Sequence, residues 1–208
     1  MEPKTFKEAL IDAWDALIPL VGINFVWVIS TMLVVTAFPG YAGVQYATNQ
    51  IAHGEYIGFR DFIDGVKKYF WISLKYGLLN LVMYFLIALN LRFYSEFEGI
   101  GYTLLQGFFL SFAILWTIVQ MYVFPFIMEQ EEQSLKMAFR NSAAVCIRFM
   151  GRTFGLFLFF VVLAILSSLI PPVWLLITVS LMIYLTNWQT ISMIRELRKL
   201  EAVENPEN

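Results

Sequence analysis

The 208 residues are 59% hydrophobic and 14% charged, against roughly 45–50% and 25% in an average soluble domain, which excludes an ordinary water-soluble globule. Fourteen basic and sixteen acidic residues give a net charge of -2 and no basic excess for holding nucleic acid. The one cysteine, Cys146, excludes an internal disulfide, and with His53 as the one histidine it excludes a Cys/His zinc cage.

Formal charge is missing from Ala16 to Gly54, from Gly99 to Met128 and from Thr153 to Ile194. Each stretch exceeds the roughly 20 residues with which a helix crosses a hydrocarbon core about 30 Å thick. The expected fold is therefore all-α, a polytopic transmembrane helix bundle. Residues 1–208 are expected to form a single membrane domain with no separate soluble part.

Thr5 and Glu8 have the spacing of a capping box, which predicts a helix start. Phe6, Leu10, Ala13, Trp14 and Leu17 then recur at helical spacing. Residues 1–15 read as an interfacial N-terminal helix or as a cytosolic extension of the first span. Glu2, Glu8, Asp12 and Asp15 are unlike the basic lead of a signal peptide, so the segment is expected to be retained.

The first span runs from Leu17 to Ala37, with Asn24 as its one strongly polar side chain. Phe38, Pro39 and Gly40 predict a turn, since proline removes a backbone donor and glycine loosens the chain. Tyr41 to His53 forms a short second helix, uncharged but carrying Gln45, Thr48, Asn49 and Gln50. Such a segment crosses only by packing against other helices, and Gly40, Gly43 and Ala47 are spaced to allow close approach.

With the short helix counted as a crossing, five long spans become six. Thirteen basic residues then lie on one side and Arg92 alone on the other; otherwise the division is eleven and three. Because cytoplasmic loops retain Lys and Arg, six crossings with both termini cytoplasmic are expected. Thirteen helical residues reach only about 20 Å, so the second helix must take in the Phe38 turn or sit where the bilayer is thinned and protein surrounds it.

Phe59, Phe62, Ile63, Val66 and Phe70 face one way and Arg60, Asp61, Asp64, Lys67 and Lys68 the other, as in an amphipathic interfacial helix. A span from Trp71 to Leu91 follows, with Lys75 placed to snorkel. Beyond an outer loop, Tyr102 to Met128 forms a long span holding Gln106, Gln120 and Pro125.

A second amphipathic helix begins behind Glu129, Glu131 and Glu132, whose charge suits a helix N-terminus. Lys136, Arg140, Arg148 and Arg152 recur at multiples of four residues and are expected on one stripe. Such a stripe meets anionic lipid at about 1 kcal/mol per residue, or docks a partner. Residues 58–70 echo 138–150 at an offset of eighty, matching Phe59 with Phe139, Arg60 with Arg140 and Lys68 with Arg148. A parallel repeat of this kind would favour five crossings. Pro171 and Pro172 separate two final spans, and residues 195–208 form a charged cytoplasmic tail.

Candidate functional residues fall in two groups. Arg60, Lys67, Lys68, Lys136, Arg140, Arg148 and Arg152 are placed for contact with lipid or a partner. Asn24, Asn80, Gln120 and Asn187 could line an intramembrane polar path, although amide pairing between helices accounts for them equally. No acidic residue lies deep in a span, and phosphate loop, HExxH and nucleophile elbow are absent. The chain is therefore not expected to be an enzyme or to hold a metal or cofactor.

Asn24 with Trp27 three residues on, Phe38-Pro39, Ala42, a short helix, Gly54-Glu55, and Phe62 ahead of Lys67 and Lys68 form a pattern. From Trp14 to Asn80 this pattern resembles the YesL-like family of bacterial integral membrane proteins of unknown function. In that family the short second helix ends in basic residues, where this chain has Asn49, Gln50 and His53. The resemblance implies a multi-pass protein of the bacterial inner membrane, accessory to carbohydrate uptake through an ABC-type permease. It brings no catalytic or binding residues with it. A small transporter or channel with a polar path is the alternative.

Overall fold

The computed structural model describes residues 5–204, and among them every regular element is helical. The helices are α1 (Phe6–Asp15), α2 (Leu17–Met32), α3 (Val34–His53), α4 (Phe59–Lys68), α5 (Phe70–Tyr94), α6 (Ile100–Met128), α7 (Leu135–Arg148) and α8 (Met150–Leu169). A three-residue α9 (Pro171–Val173), a π-helical turn (Trp174–Thr178) and α10 (Val179–Glu204) complete the fold. It is an all-α polytopic membrane bundle. By length and composition α5, α6, α8 and the helix Pro171–Ala202 suffice to cross a membrane, and a fifth span arises if α1 and α2, bent by 76°, are taken together.

Pairings between named residues fix the directions of the helices. Tyr76 meets Gln120 and Gln106 reaches the Tyr94 carbonyl, so α5 and α6 are antiparallel. Thr178 meets Ser167 and Glu196 meets Arg152, so α8 and α10 are antiparallel as well. Asn187 of α10 meets Gln45, while Glu129, just past α6, meets Asn49. Helices α3, α6 and α10 therefore run one way, and α2, α5 and α8 run back.

Two expectations need correction here. The break after the first span falls at Leu33, whose backbone is extended, not at Phe38 to Gly40. Pro39 lies inside α3 instead. A proline in the first turns of a helix loses one hydrogen bond, and the helix start is held otherwise, by the Thr36 hydroxyl donating to the carbonyls of Ser30 (2.6 Å) and Leu33 (2.9 Å). The second helix thus has 20 residues, about 30 Å of rise. It runs antiparallel to α2 and α5 within the bundle, but it is not among the helices that length and composition qualify to cross a membrane, which number four, or five with α1 and α2 taken together.

α3 owes its position to small residues on both sides of each contact. A Cβ on Gly40 would lie 2.0 Å from Ser30 Oγ of α2, and one on Gly43 2.8 Å from the Phe62 ring of α4. Gly65 of α4 admits Tyr46, and Gly77 of α5 admits the Phe38 ring in the same way. The apolar face of α4 is therefore seated on protein through Phe62, which is buried, while Phe59 is 64% exposed. On α1 the capping box forms as expected, with Thr5 N–H donating to Glu8 Oε2 at 2.6 Å. There Ala9 and Ala13 face the bundle and Trp14 faces outward, 74% exposed.

The eighty-residue echo extends to the geometry of the two helix breaks. α4 ends at Lys68 with Tyr69 between it and α5, and α7 ends at Arg148 with Phe149 between it and α8. The break removes Arg152 from the stripe expected for α7 and places it in the first turn of α8. α10 is helical through Glu204, and the remainder of the charged tail, like residues 1–4, lies outside the described residues.

Gly77→Ala is expected to lower the thermal midpoint in detergent by several degrees, through overpacking of about 1–3 kcal/mol, because its methyl would sit 2.2 Å from Phe38 ring carbons. Gly22→Ala, with nothing within 4 Å of the new Cβ, should leave the midpoint unchanged or slightly higher. Equal midpoints for the two would refute the close seat of α3 on α5.

Candidate functional site at the basic end of the bundle

α3 is polar along the side that meets α6 and α10. Gln45, Thr48 and Asn49 are 1%, 0% and 6% exposed, and Asn187 of α10 is wholly buried. The Asn187 amide nitrogen lies 3.0 Å from both Gln45 Oε1 and Thr48 Oγ1, 3.1 Å from the Ile183 carbonyl and 3.4 Å from the Gln45 carbonyl. An amide carries two protons, so these four acceptors share them. The seam extends through Gln45 Nε2, donating to Tyr41 Oη at 2.6 Å, and through Asn49 Nδ2, 3.4 Å from Asn187 Oδ1.

At its end the seam meets a charge. Asn49 Nδ2 donates to Glu129 Oε1 at 2.8 Å, and His53 Nε2 lies 2.9 Å from the same oxygen. Burial alone would raise the Glu129 carboxyl, but the hydrogen bonds from His53 and Asn49, helped by the charge of Arg198, hold it below the usual carboxylate range. Glu129 does not serve the start of α7, as its position had suggested. It follows the last residue of α6 and turns inward, while the Ser134 hydroxyl accepts the Met137 N–H and caps α7.

The four candidates for a polar path fall into three separate places. Asn80 and Gln120 come together: Asn80 Nδ2 donates to Gln120 Oε1 at 3.1 Å, and Trp116 Nε1 donates to Asn80 Oδ1 at 3.2 Å. Gln120 Nε2 and the Tyr122 hydroxyl are buried without a hydrogen-bond partner among the described residues. Asn187 belongs to the seam. Asn24 stands apart, donating to the carbonyls of Trp174 (3.0 Å) and Leu175 (2.7 Å) and accepting the Ser180 N–H (2.9 Å). It thereby satisfies backbone groups where the π-helical turn departs from α-helical pairing.

The basic candidates also divide. Arg60 is 93% exposed at its side chain, with Asp64 3.9 Å away, an exposed pair of little energetic value. Lys68 Nζ lies 5.4 Å and 5.2 Å from the Tyr46 and Tyr69 rings. Lys67, Lys136, Arg140 and Arg148 are exposed and make no ion pair among the described residues. Arg152 differs, with Nη1 2.5 Å from Glu196 Oε2 and its guanidinium 5.4 Å from the Phe149 ring. Cys146, within reach of the Ile118 carbonyl, is a packed thiol, and burial pushes it up to about 12.

Sequence reasoning singled out the polarity of α3 but not the His53–Glu129 contact. The available signal was the first carboxylate directly after an apolar span and the single histidine closing another helix. The fold and its site define a multi-helix membrane protein with one cationic end. Residues 20–91, from α2 into α5, match the family model described as "Protein of unknown function, DUF624". No curated protein and no solved structure matches the chain.

Asn24→Ala should cost about 1–3 kcal/mol, since it strips partners from buried backbone groups; SDS-titrated unfolding monitored by circular dichroism would register the loss, and an unchanged midpoint would deny Asn24 that role. A second expectation concerns acid. With its folded pKa depressed, Glu129 contributes stability above the unfolded value near 4.3, and that stability is lost as pH falls through the lower folded value. Glu129→Gln should therefore be less stable than wild type at pH 6, with the difference shrinking toward pH 3 in paired thermal scans. A pH-independent difference would contradict this.

Proposed function

We propose that this chain is a YesL-like accessory protein of the bacterial inner membrane, with both termini in the cytoplasm, which engages the permease of a carbohydrate ABC-type uptake system through α4 and α7. The family match over residues 20–91 supports the YesL-like reading. One observation carries the docking role. α4 and α7 adjoin at the same end of the bundle, where Gln133, just before α7, reaches the Lys68 carbonyl at 3.5 Å. Lys67, Lys136, Arg140 and Arg148 are left without ionic partners among the described residues.

Charges fixed on rigid, protein-seated helices recognise a complementary acidic surface with little ordering cost. A flexible basic tail would meet anionic lipid as readily but would select poorly among partners. The excess of Lys and Arg at this end supports the cytoplasmic placement, because cytoplasmic loops retain these residues.

The quadruple variant Lys67→Glu, Lys68→Glu, Arg140→Glu and Arg148→Glu should reduce co-purification of a carbohydrate ABC permease by at least tenfold, measured by quantitative mass spectrometry from crosslinked native membranes. Arg152→Gln should not reduce it, because that guanidinium is engaged by Glu196. Recovery that is indifferent to charge reversal, or absent from wild type, would refute the docking role.

A further inference from the structure

A groove of about 640 Å³ opens between α1, α8 and α10, within the size range of small-molecule sites. Its walls are aromatic, with the Phe6 ring 5.6 Å from that of Phe159 and 6.1 Å from that of Trp188. Two polar side chains in its lining, buried Gln189 and half-buried Ser192, make no side-chain hydrogen bond to any other described residue. The Trp188 indole N–H is likewise unpaired among the described residues. None of these polar atoms is among the buried ones left without a partner, so they are open to the groove and available to a molecule that enters it.

The chemistry is graded along the groove. At the rim, in the first turn of α8, Arg152 and Glu196 form an ion pair. One to two turns further in along α10 come Ser192, Gln189 and Trp188, and deeper on α8 stands Phe159. Charge, then hydrogen-bonding groups, then apolar wall is the order of polarity along a phospholipid from headgroup through ester linkages to acyl chain. The rim lies at the end of the bundle that carries α4 and α7, since α8 begins directly after α7.

The ion pair narrows the choice of headgroup. A cation and an anion side by side carry no net charge, so a purely anionic head gains at Arg152 and is repelled at Glu196. A zwitterion matches both. We infer that this groove is a phospholipid site selecting a phosphoethanolamine head, with the phosphate on the Arg152 guanidinium and the ammonium on the Glu196 carboxylate. The ester carbonyls accept from the Trp188, Gln189 and Ser192 donors, and one acyl chain lies against Phe159. A trimethylated head lacks N–H donors for Glu196 and fits less well.

Gly155 lines the groove, and a Cβ there meets nothing within 4 Å, so Gly155→Leu starts its side chain into open space and narrows the groove. The full-length protein in dodecyl maltoside would be titrated with dioleoyl phosphatidylethanolamine, phosphatidylcholine and phosphatidylglycerol, and one-to-one adducts counted by native mass spectrometry. Phosphatidylethanolamine should bind at least tenfold more tightly than phosphatidylglycerol. Gly155→Leu should lose that binding at least tenfold while keeping wild-type helicity and thermal midpoint in lipid-free detergent.

The pair Arg152→Gln and Glu196→Gln provides an independent arm, expected to keep lipid but lose the preference between heads. Wild-type phosphatidylethanolamine binding by a folded Gly155→Leu protein would overturn the site. Equal affinity of the native protein for phosphatidylglycerol, or a preference that survives the double substitution, would overturn the headgroup assignment.

Discussion

The constraint on which this fold rests is that α3 is too polar to face lipid. Gln45, Thr48 and Asn49 occupy one side of a helix that runs the length of the bundle, and hydrocarbon offers these amides and hydroxyls no partner. They must meet protein, and the other helices are arranged to supply it. α10 brings Asn187, Glu129 follows α6, and α2, α4 and α5 close the remaining sides through contacts so tight that glycine stands at each one. Reciprocity is evident in those contacts, since a glycine of α3 receives Phe62 and glycines of α4 and α5 receive Tyr46 and Phe38.

Between membrane helices the hydrophobic effect supplies little association, because lipid tails are as apolar as leucine; close packing and interhelical hydrogen bonds remain. The bundle uses both, and it distributes its polar groups over three places. The seam joins α3, α6 and α10, the Asn80–Gln120–Trp116 group joins α5 to α6, and Asn24 joins α2 to the π-helical turn. At modest energy per bond, their larger effect is on register, since sliding α10 by one residue would take Asn187 away from Gln45 and Thr48 together.

At the cationic end the same logic yields exposed charge. α4 and α7 bury Phe62, Ala138 and Val145 against the bundle, which fixes their outer faces and the lysines and arginines on them. Of the seven basic positions singled out from the chain, Arg152 behaves differently. Its distance in sequence from Arg148 suited a helical stripe, yet the break at Phe149 turns it away and pairs it with Glu196. One arginine thereby leaves the basic face of α4 and α7 and enters the wall of a groove.

The all-helical membrane class, the amphipathic character of α4 and α7, the capping box at Thr5 and the need for α3 to be enclosed all follow from local pattern, because charge-free length and residue spacing act within a single helix. Where α3 begins did not follow. Pro39 argued for a turn, but it stands in the second turn of α3, a helix whose start is held by contacts of Thr36 with Ser30 and of Phe38 with Gly77. Likewise only the assembled bundle decided that Glu129 would turn toward His53, that Asn24 would hold a π-helical turn 150 residues away, and that Arg152 would find Glu196. Each is a meeting of side chains from helices far apart in the chain, and spacing along one helix carries no information about which neighbour will lie across from it.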